Sequence, residues 1–233
     1  HVASHEIRVP LTVIRGYARM LSKDVENTLS EGQRENISEI ETQCEKLLHF
    51  SNSLLDFAKI NAEKITLNRQ HVNSADYING IVRNMQISAR DKKIKILFKG
   101  EDGIPELFVD PIRFEQALCN LLHNAIKHSP EHGEVTIHVS RGILEHNPMN
   151  RLMNQESILI SVLDQGPGIK LEESRELFSD FYVGASGRAK GGIGLGLSIT
   201  KEIVHAHGGS VEARPSDAGG HFVITIPLNR EDV

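Results

Sequence analysis

His5 and Glu6 stand side by side near the start of the chain, in a stretch with helical periodicity that also holds Pro10. A proline in a helix interior has no N–H for the carbonyl four residues back, here that of Glu6, and costs about 3 kcal/mol. The sequence therefore sets a titratable ring and an acid beside an expected helix bend. A lone histidine on a helix is usually only a surface residue, so a chemical role for His5 depends on what else the chain contains. Further on, Gln116, Asn120, Asn124 and Lys127 share one helical face, with His128 one turn after Asn124. Such a face is ordinarily just solvated. Yet asparagine is a poor helix former, and an amide oxygen is able to ligate Mg2+ where phosphates and water supply the other ligands. Spacing alone leaves both readings open.

Two glycine-rich turns follow. Asp164-Gln165-Gly166-Pro167-Gly168-Ile169 ends an alternating strand of Ile158, Ile160 and Val162. Glycines there permit close approach of backbone to a ligand. An acid held in that turn is suited to accept a hydrogen bond from the exocyclic amine of adenine. Guanine presents a carbonyl at the same place and is repelled, so Asp164 would select ATP over GTP. Phe178 and Phe181 come next, expected on a short helix as hydrophobic anchors. Tyr182 to Gly191 is small, polar and glycine-rich, carries Arg188 and Lys190, and reads as a lid. Gly192-Ile193-Gly194-Leu195-Gly196-Leu197 then opens a helix expected to run to Ala206. A glycine turn feeding a helix N-terminus is an anion site. It is not a P-loop, since no Gly-Lys-Ser/Thr follows. It is not a dinucleotide fingerprint either, since the spacing differs and no strand leads directly in.

Composition bounds the classes. A length of 233 residues suits one large domain or two small ones. A net charge of −5 argues against nucleic-acid binding, which needs a basic face. Cys44 and Cys119 are too few for a disulfide framework and fit a reducing, cytoplasmic compartment. No signal peptide and no apolar run of ~18 residues is present, so no membrane contact is expected within this stretch. The chain begins at His1 in mid-pattern and reads as a piece of a longer protein, whose parent could still be anchored in the inner membrane.

Ile7, Leu11, Ile14, Ala18, Leu21 and Val25 form a heptad seam, and so do Ile37, Ile40, Cys44, Leu47, Ser51, Leu54 and Ala58, with Leu48 and Leu55 widening the second stripe. Ser30 and Gln33 between them resemble a capping box. Two helices with such wide stripes cannot bury them alone, and pairing two hairpins into a four-helix bundle does. A homodimer is therefore expected. His5 and Val9 lie off the first seam, one turn apart on a solvent face. Beyond a connector at Thr66 to Asn73, a helix is expected over Ser74–Arg90, strands over Ile94–Phe98, Leu107–Val109 and Val135–Val139, and a helix from Asp110 to about Lys127 with Asp110 as N-cap and Pro111 at its first position. Gly142 to Glu156 reads as a polar loop joining two strands. His207-Gly208-Gly209 is expected to cap the last helix, and Ser210–Ala213 and His221–Pro227 to close the domain as strands.

Five motifs in this order closely resemble the catalytic core of bacterial sensor histidine kinases, over essentially the whole chain. His5-Glu6-Ile7-Arg8-Val9-Pro10-Leu11 looks like the phosphoacceptor box, Asn120 to His128 like the asparagine box of the Bergerat-type ATPase, Asp164 to Ile169 and Gly192 to Leu197 like its glycine boxes, and Phe178 to Phe181 like its phenylalanine box. The resemblance implies an α + α/β architecture. An antiparallel helical hairpin over residues 1–66 would form a dimeric four-helix bundle, and residues 67–233 a two-layer α/β sandwich with a mixed sheet. It implies cofactors ATP and Mg2+, with Asn124 as metal ligand, Asn120 and Lys127 near the phosphates, His128 near the nucleotide and Asp164 on adenine. Gly166, Gly168, Ile169, Gly192, Gly194, Leu195, Gly196 and Leu197 would line the site. The γ-phosphoryl group would pass to the far ring nitrogen of His5, with Glu6 hydrogen-bonded to the other nitrogen and acting as base, and then to an aspartate of a response-regulator receiver domain.

Three positions depart from the family pattern. Val183 stands where an arginine often reaches the γ-phosphate, and Arg188 or Lys190 would have to substitute. Val9 stands where threonine or asparagine is common, so weak phosphatase activity is expected. His221 stands where a threonine is common. Two competing readings are a dimeric scaffold that binds ATP without transferring phosphate, which Val183 favours, and another ATPase of the same fold, which the His5 hairpin opposes.

Overall fold

The periodicity of the first sixty residues becomes two helices, α1 (Val2–Asp24) and α2 (Glu31–Ala62), and α1 continues through Pro10. The computed structural model describes residues 2–24, 29–62, 66–101, 103–146, 153–183, 194–216 and 219–228. At the start of α2 the Gln33 N–H donates to Ser30 Oγ at 3.3 Å, and the Ser30 N–H donates to Gln33 Oε1 at 2.9 Å. This is the reciprocal capping box expected from the sequence. Ala18, Cys44 and Ser51 are buried, whereas Ile14, Leu21, Ile40, Leu47 and Leu54 are 40–51% exposed. The hairpin thus buries one strip of each stripe and leaves heptad-spaced residues of both helices open. Val25 lies outside the described residues, as do the side chains of His5, Glu6, Ile7 and Val9.

The chain divides into two compact units, His1–Lys64 and Ile65–Val233. The second begins with β1 (Gln70–Val72), α3 (Ser74–Ser88), β2 (Lys95–Gly100), β3 (Leu107–Val109) and α4 (Pro111–His128). It continues with β4 (Glu134–His146), β5 (Met153–Leu163), α5 (Leu171–Ser174), α6 (Gly196–Ala206), β6 (Ser210–Ala213) and β7 (His221–Pro227). β1 and β3 form a small antiparallel pair. The main sheet has the order β2-β4-β5-β7-β6, parallel between β2 and β4 and antiparallel elsewhere, hence mixed. Register aligns Ile137 with Val162, and Val139 with Ile160 and then Ile224, and all are fully buried. Phe114, Leu118, Leu121 and Leu122 of α4 and Ile203 and Val204 of α6 are equally buried, completing a two-layer core. The edge of β2 is covered by a side chain: Gln86 Nε2 donates to Ile94 O at 2.8 Å, and the Ile96 N–H donates to Gln86 Oε1 at 2.9 Å. That amide occupies the pairing groups a free edge would offer.

Two expectations need correction. The stretch read as a loop from Gly142 to Glu156 is largely paired strand, with Ile143 opposite Glu156 and His146 opposite Met153. Ladder hydrogen bonds extend a ribbon without an alternating apolar pattern, and here Leu144 turns into the core while Ile143 stays exposed. Residues 147–152 lie outside the described set. Phe178 and Phe181 lie in turns beyond α5 rather than on a helix. Phe178 is a buried anchor, edge-on to Phe222 at 6.3 Å. Phe181 is 54% exposed, with φ of 59° in the left-handed region that ends a helical path.

The end of α6 locks onto the start of α4. Gly208 takes φ of 81°, with its N–H on His205 O and the Gly209 N–H on Val204 O, a Schellman cap. That geometry turns His207 inward. Its Nδ1 lies 2.8 Å from Ile203 O and its Nε2 accepts the Asp110 N–H at 2.9 Å. Only the neutral ring with its proton on Nδ1 satisfies both bonds, and burial pushes the ring's pKa down. The unfolded chain therefore binds this proton more readily. Stability is full above the ordinary histidine pKa and falls as pH drops through it, by up to ~1.4 kcal/mol per pH unit for one group. Urea unfolding is expected to show a lower midpoint at pH 5.5 than at pH 7.5. His207→Asn should flatten that slope without abolishing it, because burial also lowers His205 and His221.

Candidate functional site

α4 starts where the sequence places it. Asp110 Oδ1 accepts the N–H groups of Ile112 and Arg113 at 3.1 Å, and its Oδ2 accepts the Asn68 N–H at 2.9 Å. Burial opposes this carboxylate's charge, but those N–H donors outweigh it and hold its pKa below the usual range. Leu118, Leu121, Leu122 and Ala125 fill the core, which leaves Gln116, Asn120, Asn124, Lys127 and His128 half-buried on the opposite face. The two asparagines differ. Asn120 Nδ2 donates to Gly196 O at 3.1 Å and lies 3.5 Å from Thr200 Oγ1, which ties α4 to the first turn of α6. Among the described residues the Asn124 amide has no hydrogen-bond partner. On the same helix, burial and the Glu115 carboxylate push the Cys119 thiol up to about 11, so it is protonated and inert at neutral pH.

Asp164 directly follows β5 and is only 8% exposed. Its Oδ1 accepts the N–H groups of Gly166 at 2.7 Å and Gly220 at 2.9 Å, and its own N–H donates to Gly220 O at 2.9 Å. A side chain on Gly220 would collide with the carboxylate, and one on Gly219, at φ of 121°, with the Asp164 carbonyl. A Cβ on Gly166 would come 2.8 Å from Asp164 Oδ1 and 3.0 Å from His128 O. The turn is thus packed onto the C-terminal end of α4. Gln165 Oε1 reinforces this by accepting the Glu134 N–H at 2.9 Å. Gly168 has φ of 85°, and Ile169 is buried and paired by backbone with Ser216.

The second glycine turn closes the opposite side. Gly194 has φ of 78°, and a Cβ there would meet the Tyr182 carbonyl at 2.5 Å. Leu195 is buried and precedes α6, and among the described residues no side chain caps the first N–H groups of that helix. Gly192, Arg188 and Lys190 lie outside the described residues. The second unit therefore brings together Asn120, Gly194, Leu195, Gly196 and Leu197 on one side, and Lys127, His128, Asp164, Gly166, Gly168 and Ile169 on the other. His5 and Glu6 lie on α1, in the first unit. Sequence reasoning missed Gly219 and Gly220, although a Gly-Gly pair before a strand is a visible signal. It singled out His221 instead, but register pairs His221 with Leu163, on the opposite sheet face from Asp164.

Residues 109–230 match the family described as histidine kinase-, DNA gyrase B-, and HSP90-like ATPase. Residues 1–63 match the His Kinase A (phospho-acceptor) domain. The chain is 31% identical, over 99% of its length, to the autoinducer 2 sensor kinase/phosphatase LuxQ of Vibrio parahaemolyticus. It is 29% identical, over 98%, to the sensor histidine kinase WalK of Bacillus subtilis. It spans 26% and 36% of those two proteins. Full-length ShkA in complex with AMPPNP is similar in structure with TM-score 0.74 and 27% identity, covering 97% of this chain and 44% of that one. ThkA in complex with the response regulator TrrA is similar with TM-score 0.67 and 25% identity, covering 99% and 61%. The chain belongs to the histidine kinase-, DNA gyrase B- and HSP90-like ATPase family. With a phosphoacceptor domain ahead of the ATPase unit, it is the catalytic core of a histidine kinase.

The cradle around Asp164 generates a test. Gly220→Ala should displace the carboxylate, lower nucleotide affinity about tenfold and destabilise the fold by about 1–3 kcal/mol through overpacking. Calorimetric titration with ATP and urea unfolding read the two effects. Unchanged affinity in a folded variant would remove Asp164 from the site.

Proposed function

We propose that this core transfers the γ-phosphoryl group of ATP to His5 and passes it on to an aspartate of a response-regulator receiver domain. The observation that carries the reading is the held carboxylate of Asp164, fixed by two backbone N–H groups at the floor of a glycine-built site. Adenine fits there because its amine donates where guanine has a carbonyl. Lys127 and the first turn of α6 would meet the phosphates. Asn124 suits a Mg2+ ligand because it is half-buried on the same face and its amide is unpartnered among the described residues. Bound there, Mg2+ would neutralise phosphate charge. Asn120 is proposed to act on the phosphates indirectly, by holding the α6 turn.

At His5 the far ring nitrogen supplies the electron pair for the new N–P bond. The bond from the γ-phosphorus to the bridging oxygen breaks, and ADP leaves with that pair. Glu6 orients the ring through the other nitrogen and takes its proton. Positioning and charge neutralisation supply most of the acceleration. Val183 offers no cation, so Arg188 or Lys190 of the lid is proposed to supply it.

The partners are a second copy and a receiver domain. The exposed residues Ile14, Leu21, Ile40, Leu47 and Leu54 support a dimeric four-helix bundle, since a second hairpin would cover them. The similarity to ThkA, whose structure holds the response regulator TrrA, supports the receiver-domain assignment. We place the activity in the cytoplasm. Cys44 and Cys119 are both free, and among the described residues no helix is long and apolar enough to cross a membrane. Residues 1–66 would carry the phosphoacceptor and 67–233 the ATP site.

His5→Gln should abolish acid-labile labelling from γ-phosphate-labelled ATP while ATP affinity stays close to wild type. Labelling retained on another residue would refute the acceptor assignment, and a wild-type chain that binds ATP without taking label would mark a scaffold. Val9 lies one turn after His5 and offers neither donor nor acceptor to align a water on the aspartyl phosphate. The core is accordingly proposed to be a weak phosphatase. Val9→Thr should speed decay of the phosphorylated regulator, measured without ATP or ADP, and leave autophosphorylation nearly unchanged. Strong decay with wild type and no gain from the variant would overturn this.

A further inference from the structure

Lys92 lies in the turn between α3 and β2, outside the motifs described above. Its Nζ donates to Lys127 O at 2.8 Å and to Ile126 O at 3.0 Å, with Ser129 O at 3.5 Å. These carbonyls belong to the last turn of α4 and its C-cap, where a helix has no N–H of its own to offer. A cation there also meets the negative end of the helix dipole. Two tight turns set the lysine in place. The His132 N–H donates to Lys92 O at 3.0 Å, and Lys93 and His132 have φ of 54° and 61°. These turns hold the Lys92 backbone beside the end of α4, within reach of its carbonyls.

The turn that Lys92 holds is shared by both halves of the site. It carries Lys127 and His128, and Gly166 packs so closely on the His128 carbonyl that a Cβ at position 166 would lie 3.0 Å from that oxygen. We propose that Lys92 is a positioning residue for nucleotide binding, fixing the C-terminal turn of α4 and thereby the placement of Lys127 against the phosphates. The proposal rests on the reading of Lys127 as a phosphate-side residue of an ATP site. Simple helix capping would add stability and affect every ligand alike. Positioning of Lys127 instead makes the effect depend on the phosphates.

The test uses the full chain and calorimetric titration with ATP–Mg2+ and with adenosine. Lys92→Met is expected to weaken ATP binding about tenfold and adenosine binding less than about threefold, and Lys92→Arg should keep most of the ATP affinity. In a Lys127→Ala background, Lys92→Met should cost less than about threefold, because the residue it positions is gone. If Lys92→Met does not fold by circular dichroism, Lys92→Gln replaces it under the same criteria. A folded variant with wild-type ATP affinity, equal losses for ATP and adenosine, or full additivity with Lys127→Ala overturns the proposal while leaving the ATP site intact. If Lys127→Ala alone leaves ATP binding unchanged, the phosphate-side reading itself fails and this proposal falls with it.

Discussion

A carboxyl group withdrawn from water must have its hydrogen-bonding capacity met inside the protein. Asp164 meets that constraint with backbone alone. The β5–β7 ladder ends at Leu163 opposite His221, and the next rung is completed by a side chain: Asp164 gives its N–H to Gly220 and takes the Gly220 N–H on Oδ1. The second donor, Gly166, lies two residues on in the same turn. This arrangement works only if Gly166, Gly219 and Gly220 carry no side chains, since each Cβ would strike Asp164 or its carbonyl. Glycines in two distant parts of the sequence thus follow from one buried carboxyl group.

The same logic of fixed groups extends through α4. At its N-terminus Asp110 caps the helix and binds Asn68, while His207 accepts the Asp110 N–H. Near its middle Asn120 holds the first turn of α6. At its C-terminus Lys92 gathers the open carbonyls. A helix secured at both ends and in the middle resists the small shifts that would misplace Asn124 or Lys127. Preorganisation of that kind lets fixed dipoles act without reorganising when charge develops.

The residues able to do chemistry were legible because their types are unusual for their positions: asparagines inside a helix, glycines in a run, an acid at a strand end. Caps were legible for the same reason, and Ser30–Gln33, Asp110 and His207–Gly209 all form as their types require. What the sequence conceals is long-range partnership. Asn120 and Asn124 look equivalent four residues apart, yet only Asn120 faces a carbonyl 76 residues away. His221 stands out by its type, but strand parity turns it away from Asp164 and gives the place to Gly220. The polar ribbon after Gly142 was hidden because ladder pairing needs no apolar pattern, and the heptad seams looked single although the hairpin buries only part of them.

The charge balance of the site follows from these placements. The chain carries a net charge of −5, so a polyanionic nucleotide has to be attracted locally rather than by the protein as a whole. In the proposed reading the site's buried acid, Asp164, sits at the base end, where the ligand is neutral. In the same proposed reading the phosphate end would receive Lys127 and the N-terminus of α6, which no side chain caps among the described residues. The proposed metal ligand is an amide and not a carboxylate. A neutral ligand leaves the cation's full charge to act on the phosphates, whereas an aspartate at position 124 would cancel half of it. An asparagine on the polar face of α4, poor as it is for the helix, is therefore the residue that costs the site no positive charge.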